Sequence, residues 1–278
     1  MQNILEKAER EGAVRRIRGD EQLGPATLAA PPRPVIESFG STPFMPSVEA
    51  VGAPAATAVP TEPHTRIISG ARLDRRLIAA STDSAASEQY RALRTRILHA
   101  DNGTAVNVLL VTSPGRGEGK TITAGNLALA MAQDYQRRIC LLDADLRNPQ
   151  LQHVFGLPDG PGLSDILSGQ ATIEDALVTL EDHQLTVLPA GRVPAHPAEL
   201  LGTTAMRRVL DALRTRFDCV IVDSPATAPL ADVGILTPLV DSVVLVVRSS
   251  ITSKPAIRDA VNALEGSKLL GLVLNDAA

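Results

Sequence analysis

A short apolar run at residues 106–112 leads directly into Ser113-Pro114-Gly115-Arg116-Gly117-Glu118-Gly119-Lys120-Thr121, and a stretch rich in Ala and Leu follows. Glycines at 115, 117 and 119 let backbone N–H groups turn inward and approach a polyphosphate. A helix opening at the end of such a loop adds the positive end of its dipole. The spacing puts Lys120 in reach of the β- and γ-phosphates and the Thr121 hydroxyl in reach of Mg²⁺, with Gly117, Glu118 and Gly119 bringing the loop backbone. The match to G-x-x-x-x-G-K-[ST] is incomplete, because Pro114 occupies the first glycine position. The carboxyl half, Gly117 to Thr121, is intact.

Two acidic strand ends complete the chemistry. Leu141-Leu142-Asp143-Ala144-Asp145-Leu146-Arg147 closes one apolar run, and Val220-Ile221-Val222-Asp223-Ser224-Pro225 closes another. Open α/β sheets bind their ligands at the carboxyl ends of strands. Alternation puts Asp143 and Asp145 on one side of the chain and turns Ala144 away. Beside a magnesium nucleotide, one carboxylate can hold metal-bound water while the other accepts a proton from an attacking hydroxyl. A solvated acidic turn would read the same in isolation, and the upstream phosphate loop is what favours function. Asp223 fits a carboxylate that meets Mg²⁺ through water. Asn275, at the end of the last apolar run, is either a hydrogen-bonding partner for an adenine edge or a plain strand-end cap.

These residues need a sheet to carry them. Apolar runs at 106–112, 137–143, 185–191, 219–223, 242–247 and 269–275 alternate with helix-like segments at about 120–134, 172–180, 198–215 and 254–265. A further helical spacing covers SAASEQYRALRTRILHA, with Tyr90, Leu93 and Ile97 on one face. The pattern predicts an α/β fold: a mostly parallel, doubly wound sheet flanked by helices. The near absence of aromatics, 2%, means that a core of Ala, Val, Leu and Ile must suffice. Three segments are expected: a short helix within 1–23, a disordered linker at 24–65, and a nucleotide-binding domain at 66–278. The linker reading rests on nearly half of the chain's 20 prolines falling between Gly24 and Pro63.

A net charge of -4 with mixed signs gives no reason to expect nucleic acid as a partner. Cys140 and Cys219 lie inside apolar runs and read as buried small hydrophobes in a reducing compartment. No signal peptide is visible, and no apolar run approaches the ~20 residues that span a bilayer. A cytoplasmic location is therefore expected, with membrane recruitment only through a partner.

Taken together, the motifs resemble the bacterial tyrosine kinase family of capsular and exopolysaccharide biosynthesis. Within it the likeness is to the cytosolic CpsD/CapB-like kinase subunit, related to the MinD/ParA P-loop ATPases. The likeness runs over residues 84–275. LLDADLRNP (141–149) matches the family's second Walker motif, and PGLSDILSG (161–169), LPAGRVPAHPAELL (188–201) and VIVDSPATAPLADVGIL (220–236) match its running pattern. Gly115 stands where the MinD/ParA type has an additional lysine, which favours the kinase branch. At 196, where the family often has Asn, this chain has His196, and no role is assigned to it.

The resemblance implies ATP and Mg²⁺ as cofactors. Lys120 and Thr121 would hold phosphate and metal, Asp143 would be the base for a tyrosine hydroxyl, and Asp145 and Asp223 would flank the metal. Arg116 would be a cation near the transferred phosphate. Glu88, Arg91 and Arg94 form E-x-x-R-x-x-R on one helix face. The bland reading is a solvated ion-pair face, whereas in the family this motif joins neighbouring subunits into a ring. A membrane chain-length regulator, the polysaccharide co-polymerase, is the implied activator.

The chain departs from the family at its end. Family kinases carry a tail of clustered tyrosines, whereas this sequence stops at Asn275-Asp276-Ala277-Ala278 and holds only Tyr90 and Tyr135, both in expected helices. Tail autophosphorylation is not expected from the sequence as it stands, so an acceptor protein with tyrosines is expected. The alternative is a MinD/ParA-like regulatory ATPase with water as the nucleophile. Lys120→Met is expected to abolish turnover and leave the fold intact, since the loop is read as lying at the surface.

Overall fold

A computed structural model describes residues 65–80, 85–99, 106–134, 137–228 and 231–276. The expected N-terminal helix and most of the expected linker lie outside the described residues, as does Tyr135.

The elements, in chain order, are β1 (Arg66–Ile68), α1 (Ala85–His99), β2 (Val108–Thr112), α2 (Lys120–Ala132), β3 (Ile139–Asp143), α3 (Leu151–Val154), α4 (Leu163–Leu167) and α5 (Ile173–Ala176). They continue with β4 (Val178–Leu180), β5 (Leu185–Leu188), α6 (Pro197–Leu201), α7 (Thr204–Arg216), β6 (Cys219–Asp223), α8 (Asp232–Leu236), β7 (Ser242–Arg248), α9 (Lys254–Ala263) and β8 (Leu269–Asn275). Eight strands form one sheet in the order β1-β4-β5-β3-β6-β2-β7-β8. Every neighbouring pair is parallel except β4 with β5. The expected mostly parallel, helix-flanked sheet is therefore present.

Continuous apolar runs form its centre because both faces are covered. β2, β3 and β6 are buried at every position. Alternation splits each strand between two cores. Leu109, Val111, Leu141 and Ile221 pack with α2 on one face. Val108, Leu110, Leu142 and Val222 pack with α7 residues Met206, Val209, Leu210 and Leu213 on the other. Cys140 and Cys219 are free and buried, as expected. Burial raises both thiols, Cys219 to about 12, so they behave as small apolar residues.

One segment corrects the sequence reading. Residues 172–180, expected to be helical, form a single helical turn and then a strand. Thr172 caps α5 by accepting from the Asp175 amide at 3.2 Å, and the Asp175 carboxylate accepts from Thr172 N in return. Leu177 then turns extended, and Val178-Thr179-Leu180 alternates in burial as a strand does. A turn through Gln184, at φ 51°, folds this strand back antiparallel onto β5. The expected helix 198–215 is broken at Gly202 into α6 and α7, and the expected strand 185–191 stops before Pro189. β1, on the far side of β4, and the short α3, α4 and α8 have no counterpart in the sequence reading.

The two family-like runs at 161–169 and 188–201 abut. Leu163 and Ser164 donate their amides to Pro189 and Ala190 at 2.8 and 2.9 Å. A Cβ at Gly162 would lie 2.1 Å from the Gly191 nitrogen, so the two backbones touch there.

Candidate active site

The strand order β3-β6-β2 assembles the site. Asp143 pairs with Asp223 across β3 and β6, and Asp223 pairs with Val111 across β6 and β2. Both carboxylates therefore emerge at the carboxyl end of the sheet, beside the loop that leaves β2. The loop turns into α2 at Gly119, whose φ is 90°. That backbone favours glycine, and a Cβ there would lie 2.1 Å from the Asn275 side-chain nitrogen and displace that amide.

Lys120 reaches back under the loop to Asp145 at 3.0 Å, with side-chain exposures of 13% and 7%. Burial alone would lower the lysine, but Asp223, Asp145 and Asp143 outweigh it and hold the ammonium above its ordinary range. Asp143 is fully buried and accepts three backbone amides, from Asp145 at 3.0 Å, Gln150 at 3.2 Å and Leu151 at 3.1 Å. Burial and the charge of Asp223 push its carboxyl well above the usual range despite those amides. Three of the roughly four lone-pair sites of a carboxylate are thus filled, leaving about one for a proton.

Asp223 differs. Both of its oxygens are buried and have no hydrogen-bond partner among the described residues. Burial raises its carboxyl to about 7, against the pull of Lys120 and the neighbouring Thr121 hydroxyl. A buried carboxylate with both oxygens unsatisfied beside a hydroxyl is a cost that a cation would remove. Among the described residues no three His, Cys, Asp or Glu side chains are grouped to hold a metal on their own. The donors present suit Mg²⁺, which keeps water and phosphate oxygens and takes one or two protein ligands.

Other groups brace the loop. Asn275 Nδ2 donates to the Glu118 carbonyl at 3.0 Å, so in this structure the amide holds the loop. Arg248 ion-pairs with Asp276 at 2.7 Å and reaches the Gly117 carbonyl at 3.5 Å. Glu118 is buried, and that burial raises its carboxyl. Arg116 is exposed and shares an open cavity of about 550 Å³ with Arg147, Val193 and Ala228. Arg147 is held by two bonds to the fully buried Asp232, at 2.6 and 3.1 Å. Sequence reasoning named neither Arg248 nor the Arg147–Asp232 pair. The latter joins residues 85 apart, and no local spacing reveals it.

Glu88, Arg91 and Arg94 lie on α1, which packs against α2. Glu88 pairs with Arg91 at 3.3 Å, and Arg94 donates to the Ala130 carbonyl at the end of α2 at 2.8 Å. His196 is exposed beside Glu199.

A parallel sheet with this loop, lysine and pair of acidic strand ends defines a P-loop nucleotide-binding protein. The AAA domain family model matches residues 107–268. The tyrosine-protein kinase YwqD of Bacillus subtilis (strain 168) is 37% identical over 209 residues, covering 74% of this chain and 88% of that kinase. The chain belongs to the family of bacterial tyrosine-protein kinases. Among solved structures, the kinase domain of the Escherichia coli tyrosine kinase ETK is 28% identical at a TM-score of 0.68, covering 73% of this chain and 82% of that one. The cell-division ATPase MinD of Pyrococcus furiosus is 28% identical at a TM-score of 0.52, covering 60% and 71%. The family and its relation to MinD agree with the resemblance read from the motifs.

Proposed function

We propose that the chain is an ATP-dependent protein-tyrosine kinase acting in the regulation of exopolysaccharide or capsule biosynthesis. The observation that carries this reading is the buried, unpartnered Asp223 carboxylate beside Lys120 and Thr121, at the head of α2. Thr121 and Asp223, with Asp145 nearby, would hold Mg²⁺, which when bound supplies charge stabilisation to the phosphates. Gly117, Glu118 and Gly119 offer the loop backbone to the triphosphate, and Asn275 stands at its edge. Lys120, released from Asp145, contacts the transferred phosphate. Asp143 accepts the proton of the attacking tyrosine hydroxyl, and its raised carboxyl brings it nearer to the affinity such a base needs. The three amides fix its orientation.

Glu88, Arg91 and Arg94 are read as contacts between neighbouring copies in a ring. The partners are a membrane polysaccharide co-polymerase as activator and an acceptor protein with tyrosines. The location is cytoplasmic, at the inner face of the membrane. Among the described residues no helix is long and apolar enough to cross a membrane.

The test is to incubate the full chain with labelled ATP, an activator fragment and candidate acceptors, and to measure phosphotyrosine. Label on tyrosine that vanishes in Asp143→Asn supports the reading. Hydrolysis of ATP with no phosphotyrosine under any condition refutes it in favour of a regulatory ATPase.

A further inference from the structure

The segment before α1 carries an arginine to the mouth of the phosphate loop. A cavity of about 200 Å³ is lined by Arg76 together with Gly117, Lys120, Thr121, Asn148 and Gln150. Gln150 donates its amide to Asp143, so the cavity that Arg76 lines adjoins the carboxylate at the end of β3.

The backbone that delivers it is pinned. Asn126, fully buried on α2, donates to the Arg76 carbonyl at 2.9 Å and accepts the Ala79 amide at 2.8 Å. Gln133 donates to the Ala79 carbonyl at 2.7 Å, and the Asp74 amide donates to Val154 at 2.8 Å. Leu77 is buried in the core between these ties. The Arg76 side chain extends from this anchored backbone at 64% exposure. Asp74 holds its guanidinium by two bonds, at 3.0 and 2.8 Å, and lowers its own carboxyl in doing so.

We propose that Arg76 contacts the terminal phosphate of the bound nucleotide, exchanging the Asp74 carboxylate for it. This deepens the nucleotide reading above and rests on it. The site's own charge argues for a second cation. Lys120 stands among three aspartates, Asp143, Asp145 and Asp223, and a magnesium triphosphate adds further negative charge. The Arg76–Asp74 pair is itself forked, but its arginine is 64% exposed, and solvent screening leaves such a pair holding its partner by about fivefold. A charge-assisted, forked contact to phosphate is worth about 10- to 100-fold. The exchange is therefore favourable when a terminal phosphate is present. A diphosphate has no group at that position.

Calorimetric titration of the full chain with the magnesium complexes of ADP and of β,γ-imido-ATP tests this. Arg76→Ala should weaken the triphosphate analogue about 10- to 100-fold and change ADP by less than about twofold. Arg76→Lys should recover part of the loss, because the charge returns without the fork. Asp74→Asn should tighten the analogue by about two- to fivefold. Unchanged analogue affinity in Arg76→Ala, or equal losses for both nucleotides, overturns the proposal while leaving the nucleotide site standing. A wild-type chain that takes up neither nucleotide overturns the nucleotide reading itself, and this one with it.

Discussion

Asp223→Asn should make the nucleotide-free protein more stable at pH 8 while abolishing its response to magnesium nucleotide. The Asp223 side chain is fully buried, and its carboxyl sits at about 7 instead of the 3.8 ordinary for an aspartate. At about 1.36 kcal/mol for each tenfold change in acidity, ionising it inside the fold costs about 4 kcal/mol more than in the unfolded chain. The sign follows from proton counting. Between about pH 4 and 7 the folded state holds a proton that the unfolded state has lost, so stability falls as pH rises through that window and stays low above it. Asparagine has the same shape and no charge. It still buries an amide without partners and forgoes the attraction of Lys120, so the net gain at pH 8 is about 1–3 kcal/mol. In a domain of this size that raises Tm by roughly 3–10 °C. Scanning calorimetry of both proteins without nucleotide, at pH 5 and pH 8, gives the comparison; Asp143 and Lys120, which feel the charge of Asp223, shift with the substitution, and the more distant titrating groups are shared. The gap should close by pH 5. Magnesium nucleotide should reverse the order at pH 8, by stabilising the wild type alone. A variant that melts at or below wild type at pH 8, or a gap that is constant between the two pH values, would refute the reasoning.

Lys120→Met should abolish nucleotide binding in calorimetric titration and also lower stability by about 2–4 kcal/mol, since the lysine is largely buried against Asp145. The sequence reading expected an intact fold from a surface loop, and a denaturant midpoint equal to wild type would support that simpler view. Gly119→Ala should cost about 1–3 kcal/mol and remove nucleotide binding. Adding Asn275→Ala should restore only part of that stability in urea titration, because it clears the collision but leaves the backbone at φ 90°. Asn126→Ala should cost about 2–4 kcal/mol, because it strips the Ala79 amide and the Arg76 carbonyl of their buried partner. Hydrogen exchange should quicken at residues 74–80 before it does so in β2; uniform quickening would show that the segment is held by other means.

The sequence by itself determined the parallel core and the chemistry. Runs such as CVIVD are apolar on both faces, and only strands covered on both sides tolerate that. The phosphate loop was legible because its residues are contiguous, so spacing alone reports their geometry. The two acidic strand ends were legible for the same reason, each sitting at the last residue of its run. Tertiary structure decided what depends on pairing between distant segments. Residues 172–180 looked helical, but Val178 and Leu180 are drawn into the sheet by a turn that lets them pair with β5. The order β3-β6-β2 set Asp143 beside Asp223 and buried both carboxylates, which raises both. The sequence leaves Asn275 as a nucleotide contact or a cap, and the fold turns its amide onto the loop at Glu118. The backbone that brings Arg76 to the loop cavity is tied by Asn126, 50 residues away in the chain. Local patterns fix which groups are present and which way each strand faces. Burial, and with it the protonation and the partners of those groups, depends on what the rest of the chain stacks around them.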